Sequence, residues 1–148
     1  MRLWHYELLP YISNLHLQSQ WRELNSIFAK SDNHILINYV YGYPKVHLRY
    51  YALLVIGEMN RRGIKVRSMD AYGDYFYDMS EEDKKITPTN DPDFKPFPEH
   101  HDDGYLAICY FNLLEKFMRG QEGMDSRTFT KLYGFCRKRV LKYAEDTL

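Results

Sequence analysis

Leu17, Trp21, Leu24 and Phe28 recur at helical spacing and predict a helix whose apolar stripe faces a core, with Ser13 or Asn14 capping its free amides. His16, Gln20 and Glu23, separated by four and three residues, line another face of that helix, with Arg22 at its edge. A second helix opens at Pro44, well suited to a first helical position, and runs to Arg62 before Gly63, the usual left-handed terminator. Its run Tyr50, Tyr51, Ala52, Leu53, Leu54, Val55, Ile56 is apolar almost all round, which predicts a central helix packed on several sides. Asp102 or Asp103 opens a third helix with an apolar face of Leu106, Cys109, Tyr110, Leu113, Leu114 and Phe117, ended by Gly120. A fourth begins near Asp125 or Ser126 and runs toward Ala144.

Between these helices the periodicity lapses. Residues 1–12 are short, aromatic and interrupted by Pro10, and read as an extended or turning arm. Residues 30–43 read as a connection whose apolar patch fits a short strand or, the favoured reading, a buried loop. From Ser68 to Pro98 the composition turns to Asp, Tyr, Pro and Lys-Glu runs, predicting a long irregular acidic loop with a short helix near Ser80-Glu81-Glu82-Asp83. The expected fold is all-α, a compact single domain over residues 1–148 of about four helices, with 68–98 as loop or insert. A chain of this length buries roughly two-thirds of its unfolded surface in one core.

Charge changes the picture. The 20 Lys and Arg balance the 20 Asp and Glu, yet Asp70 to Asp103 holds eleven acids and three bases, so that segment is −8 and the remainder +8. A basic body carrying an acidic segment attracts phosphate, or else displays ordinary solvated charge. Arg61, Arg62, Lys65 and Arg67 cluster at the end of the central helix, where cations complement the helix dipole or meet phosphate. In the last helix Arg127, Lys131, Arg137, Lys138, Arg139 and Lys142 interleave with Phe129, Leu132, Tyr133 and Phe135. Rings that stack on bases beside cations that meet phosphates suit nucleic acid, and an amphipathic core helix with a charged outside gives the same pattern.

Cys109 and Cys136 lie inside predicted helices without metal-ligand spacing and read as buried thiols, which fits a reducing cytoplasm. No apolar run approaches the roughly 20 residues of a membrane span, and the start Met-Arg-Leu-Trp-His lacks the apolar core of a signal peptide. The expectation is a soluble cytoplasmic monomer with no membrane partner. Two chemistries compete on residues alone. His100-His101-Asp102-Asp103 has metal-binding residue types, as a metal-dependent hydrolase needs, but no evident fixed scaffold. Glu23 is a helix carboxylate pairing with Arg22 or Arg2, which suits a nucleic-acid-binding or interaction module, unless the nearby chain terminus makes it part of an active site.

His16-Leu17 followed by an aromatic residue and Arg22-Glu23-Leu24, with Arg2 close behind the terminus, resembles the pyrimidine-dimer DNA glycosylase family of the phage endonuclease V type. Leu48-Arg49 through Met59-Asn60-Arg61-Arg62-Gly63 is similar to that family's long central helix. Leu106-Ala107-Ile108 through Leu114-Glu115-Lys116, then Phe129-Thr130-Lys131-Leu132-Tyr133-Gly134, is similar to its last helix and aromatic tail. The start Met1 to His5 also resembles an uncharacterised bacterial branch of the family.

The resemblance implies a compact helical bifunctional glycosylase and abasic-site lyase, acting on damaged double-stranded DNA without metal or other cofactor. An α-amine titrates near 8, about two units below lysine, so part of it is neutral and nucleophilic at physiological pH. By matching position, the Met1 amine would be the nucleophile, with the bulky Arg2 keeping Met1 in place, and Glu23 would orient the amine and move protons. Arg2 and Arg22 would hold phosphates or the lesion, His16 would support the site, and Lys131 and Tyr133 would contact DNA.

Overall fold

The computed structural model describes residues 1–121 and 123–147, and among these the regular structure is entirely helical. Asn14–Lys30 form α1, Lys45–Arg61 α2, Asp70–Phe76 α3, Glu81–Lys84 α4, Asp103–Met118 α5 and Ser126–Thr147 α6. Two 3-10 helices, Tyr6–Tyr11 and Asn38–Gly42, precede α1 and α2. The four periodic segments thus became α1, α2, α5 and α6, while the stretches without periodicity supplied the remaining helices, which raises the number above the expected four.

Of the two forms expected for residues 1–12, the second half of the segment takes the turning one. His5 starts a 3-10 helix by accepting a bond at Nδ1 from the Glu7 amide, at 3.1 Å, and Leu8 and Leu9 are buried on it. Pro10 is tolerated there because so short a helix leaves few amides in need of a partner. The apolar patch of residues 30–43 likewise ends in a 3-10 turn with Ile37 and Val40 buried.

The chain divides into two compact units. One comprises Met1–Leu3 and Gln18–Phe97, the other Trp4–Leu17 and Pro98 onward. In the first, Tyr50, Tyr51, Ala52, Val55 and Met59 bury most sides of α2, as its all-round apolar sequence requires. Phe28 of α1 meets Tyr72, Tyr75 and Phe76 at ring centroids of 5.9, 5.5 and 5.2 Å, which anchors α3. The acidic segment is therefore less irregular than its composition suggests. Three residues of α2 hold it further: Tyr50 OH donates to Asp91 O at 2.7 Å, Arg49 Nη1 donates to Lys84 O at 3.0 Å, and His47 Nδ1 accepts from the Phe97 amide at 3.0 Å. α4 begins where Ser80 Oγ accepts from the Asp83 amide, as expected of that sequence.

The end of α2 explains half of the basic cluster. Glu58 is only 9% exposed, and Arg61 and Arg62 both donate to its carboxylate, the latter at 2.7 Å. Burial pushes this carboxyl up, but the two guanidinium groups outweigh it and hold the group below its ordinary range.

In the second unit, Leu106, Cys109 and Leu113 of α5 and Leu132, Cys136 and Val140 of α6 are buried, and neither cysteine is in a disulfide. Burial pushes the Cys136 thiol up to about 12, as for an unreactive core residue. Arg139 of α6 clamps the unit: Nη1 and Nη2 donate to the Glu7 carboxylate at 2.7 and 3.0 Å, and Nη2 also donates to Asp103 Oδ1 at 2.6 Å. One guanidinium thereby ties the first 3-10 helix to the start of α5.

Candidate active site at the chain terminus

The polar face of α1 is real, but it points inward. Gln20 is fully buried, and its amide is used at both ends. Tyr51 OH on α2 donates to Gln20 Oε1 at 2.9 Å, which leaves the amide hydrogens for Glu23 Oε2 at 2.9 Å and the Arg2 carbonyl at 3.1 Å. One side chain thus holds a carboxylate and the start of the chain in fixed relation, and Tyr51 fixes which way that side chain faces.

Glu23 is half-buried, and burial raises its pKa above the ordinary carboxylate value. The positive charge of the terminal amine, a bond from the Arg2 backbone, the Gln20 amide and Arg22 each pull the other way without cancelling the effect of burial. A carboxylate of raised basicity, facing a terminal amine and fixed by an amide, is equipped to accept and return protons.

The other expected residues fall into separate settings. Arg22 is exposed, and its Nη2 donates to Ser19 Oγ at 2.9 Å. Arg2 is half-buried and enters the site through its backbone. His16 lies in the second unit, with Nδ1 2.7 Å from Ser13 Oγ and its ring edge-on to Trp4 at 5.9 Å. Burial, then the Lys116 charge, lowers its pKa. Lys131 and Tyr133 are exposed on α6.

The metal reading of residues 100–103 finds a different arrangement. His101 is buried, accepts at Nδ1 from the Tyr6 amide at 3.1 Å and stacks on His5 at 5.3 Å. Asp102 caps α5 by accepting from the Tyr105 amide at 2.9 Å, and Asp103 binds Arg139. Among the described residues no group of three or more His, Cys, Asp or Glu is placed to hold a metal ion.

Tyr51 is the site residue that spacing does not reveal. It sits in a run read as apolar almost all round, and its one signal is that a tyrosine fully buried in such a run needs a partner for its hydroxyl.

The class defined by fold and site is an all-helical protein with a terminal amine and a fixed carboxylate on which the charges of that amine and of Arg22 act. A family model described as pyrimidine dimer DNA glycosylase matches residues 1–72, a stretch that contains Met1, Arg2, His16, Gln20, Arg22, Glu23 and Tyr51. The resemblance read from the sequence is thus found independently over that stretch, and the matched family is one of DNA glycosylases. No curated protein and no solved structure matches the chain. Among the described residues no helix is long and apolar enough to cross a membrane.

Proposed function

We propose that this protein is a DNA-repair glycosylase with abasic-site lyase activity, acting through its terminal amine on damaged double-stranded DNA such as that carrying pyrimidine dimers. The neutral Met1 amine attacks C1′ of the damaged nucleotide, and the glycosidic bond breaks with its electron pair leaving on the base. Opening of the C1′–O4′ bond, with the ring oxygen taking the electrons and a proton, gives an imine between amine and sugar. Loss of a C2′ proton then expels the 3′ phosphate by β-elimination, and water releases the amine.

Glu23 accepts the amine proton, offsets the cationic transition state and takes the C2′ proton. Arg2 and Arg22 hold phosphates or the lesion, His16 supports the site, and Lys131 and Tyr133 contact DNA. The observation that carries this reading is the hold of Gln20 on both Glu23 and the Arg2 carbonyl, with Glu23 in the field of the terminal amine. The match of the glycosylase family to residues 1–72 supports it.

Borohydride reduces an imine to a stable amine, so it should join the protein covalently to DNA containing an abasic site, with the crosslink mapping to the Met1 nitrogen. A crosslink on a lysine, or no crosslink, refutes the mechanism. Chelator should leave trapping unchanged.

A further inference from the structure

Apart from the amine and Glu23, the first unit carries a cavity of about 500 Å³ whose wall has Trp21, Arg22 and Asn25 on α1 and Lys65, Arg67 and Ser68 beyond α2. Its construction follows from the end of α2. Gly63, at φ +74°, reverses the chain, and the Ile64 amide donates back to Met59 O at 2.8 Å. The returning segment is pinned when the Trp21 indole N–H donates to Arg67 O at 2.6 Å. Lys65 and Arg67 are thereby presented to the same cavity as Arg22.

The four-residue basic cluster has been divided. Arg61 and Arg62 are spent on Glu58, whereas Lys65 and Arg67 are exposed and have no ion pair among the described residues. Three cations face one cavity whose lining includes no Asp or Glu, and the neutral lining residues Asn25, Ser68 and Gln18 add hydrogen-bonding groups. Like charges so gathered repel, and an anion between them removes that repulsion. Guanidinium groups suit a phosphate geometrically, by donating two parallel bonds to its oxygens.

We infer that Arg22, Lys65 and Arg67 bind a backbone phosphate of the DNA, giving the duplex an anchor distinct from the amine and Glu23. This rests on the reading of the protein as a DNA enzyme and adds Lys65 and Arg67 to its contacts. Both side chains are exposed and only the backbone carbonyl of Arg67 meets Trp21, so K65A/R67A should fold as the parent does.

The test measures binding of a short labelled duplex containing a tetrahydrofuran abasic analogue, which cannot form an imine, across a salt series. K65A/R67A should weaken binding about tenfold or more at low salt and make the slope of log K against log salt shallower by about 1, the loss of one phosphate contact. K84A/K85A removes two positive charges from the acidic segment and serves as control for net charge. An unchanged slope in K65A/R67A, an equal loss in K84A/K85A, or no duplex binding by the parent protein overturns the assignment. Borohydride trapping at saturating abasic DNA should be retained in K65A/R67A. A parent that binds with the expected slope but does not trap would sink the amine mechanism and leave this anchor standing.

Discussion

Replacing Glu23 by Gln removes the proton acceptor while keeping its shape, so trapping and strand cleavage should fall by about 10²- to 10⁴-fold. Its stability effect has the opposite sign. A carboxyl whose folded pKa is raised favours folding below its unfolded pKa and loses that contribution as pH rises through the folded value. At neutral pH the ionised Glu23 is therefore a net burden on the fold, and E23Q should melt at a higher temperature than the parent. A lower melting temperature would show that the carboxylate serves the fold. Unchanged cleavage in E23Q would favour the interaction-module reading, in which Glu23 is merely a solvated helix residue. Tyr51→Phe tests the support behind it: Gln20 Oε1 loses its donor in a buried place, which should cost about 1–2 kcal/mol and let the amide turn away from Glu23. Single-turnover cleavage should slow while duplex affinity stays constant. A fall in affinity instead would place Tyr51 in DNA binding and remove it from the positioning of Glu23.

At the level of elements, α1, α2, α5 and α6 were legible because apolar residues at helical spacing, with Asp102 and Gly63 as start and stop signals, state a helix without reference to anything distant. The two 3-10 helices and α3 were not, because five to seven residues give too few turns for a period to show. Their stability comes from partners elsewhere, such as the ring of Phe28 for α3. The clamp at Arg139 is of the same kind, since it joins residues 7, 103 and 139. Arg139→Ala leaves two carboxylates facing each other's neighbourhood without their cation. As all three groups are partly exposed, the expected loss is about 2 kcal/mol in urea denaturation. A loss below a few tenths would mean that the clamp is a surface pair of no consequence.

For the molecule as a whole, the buried histidines make stability depend on pH on the acid side. Burial lowers the pKa of His5 to about 4, takes His101 well below its ordinary value, and lowers those of His16 and His47. A histidine with a depressed folded pKa lends stability above its unfolded value near 6.5, and that stability is lost as pH falls toward the folded value. The urea midpoint should therefore drop steadily from pH 6.5 to about 4, with His5 contributing on the order of 3 kcal/mol over that window. His5→Phe should flatten the profile there, and a profile as steep as the parent's would remove His5 from the account.

The sequence by itself determined the helical class, the four long helices, the buried thiols and the residue types of the candidate site, because each is written in local spacing or side-chain chemistry. Only the tertiary structure decided that Gln20 and Tyr51 hold Glu23 beside the chain terminus, that His101, Asp102 and Asp103 serve the fold, and that two cations of the basic cluster neutralise Glu58 while two face a cavity. Contacts such as Tyr51 with Gln20, Tyr6 with His101 and Arg139 with Asp103 join residues far apart in the chain and act only once packing has brought them within about 3 Å of each other, which no local pattern encodes. The pairs of Glu58 and the cap at Asp102 span three or four residues, and there burial and packing decided which of several local partners was used.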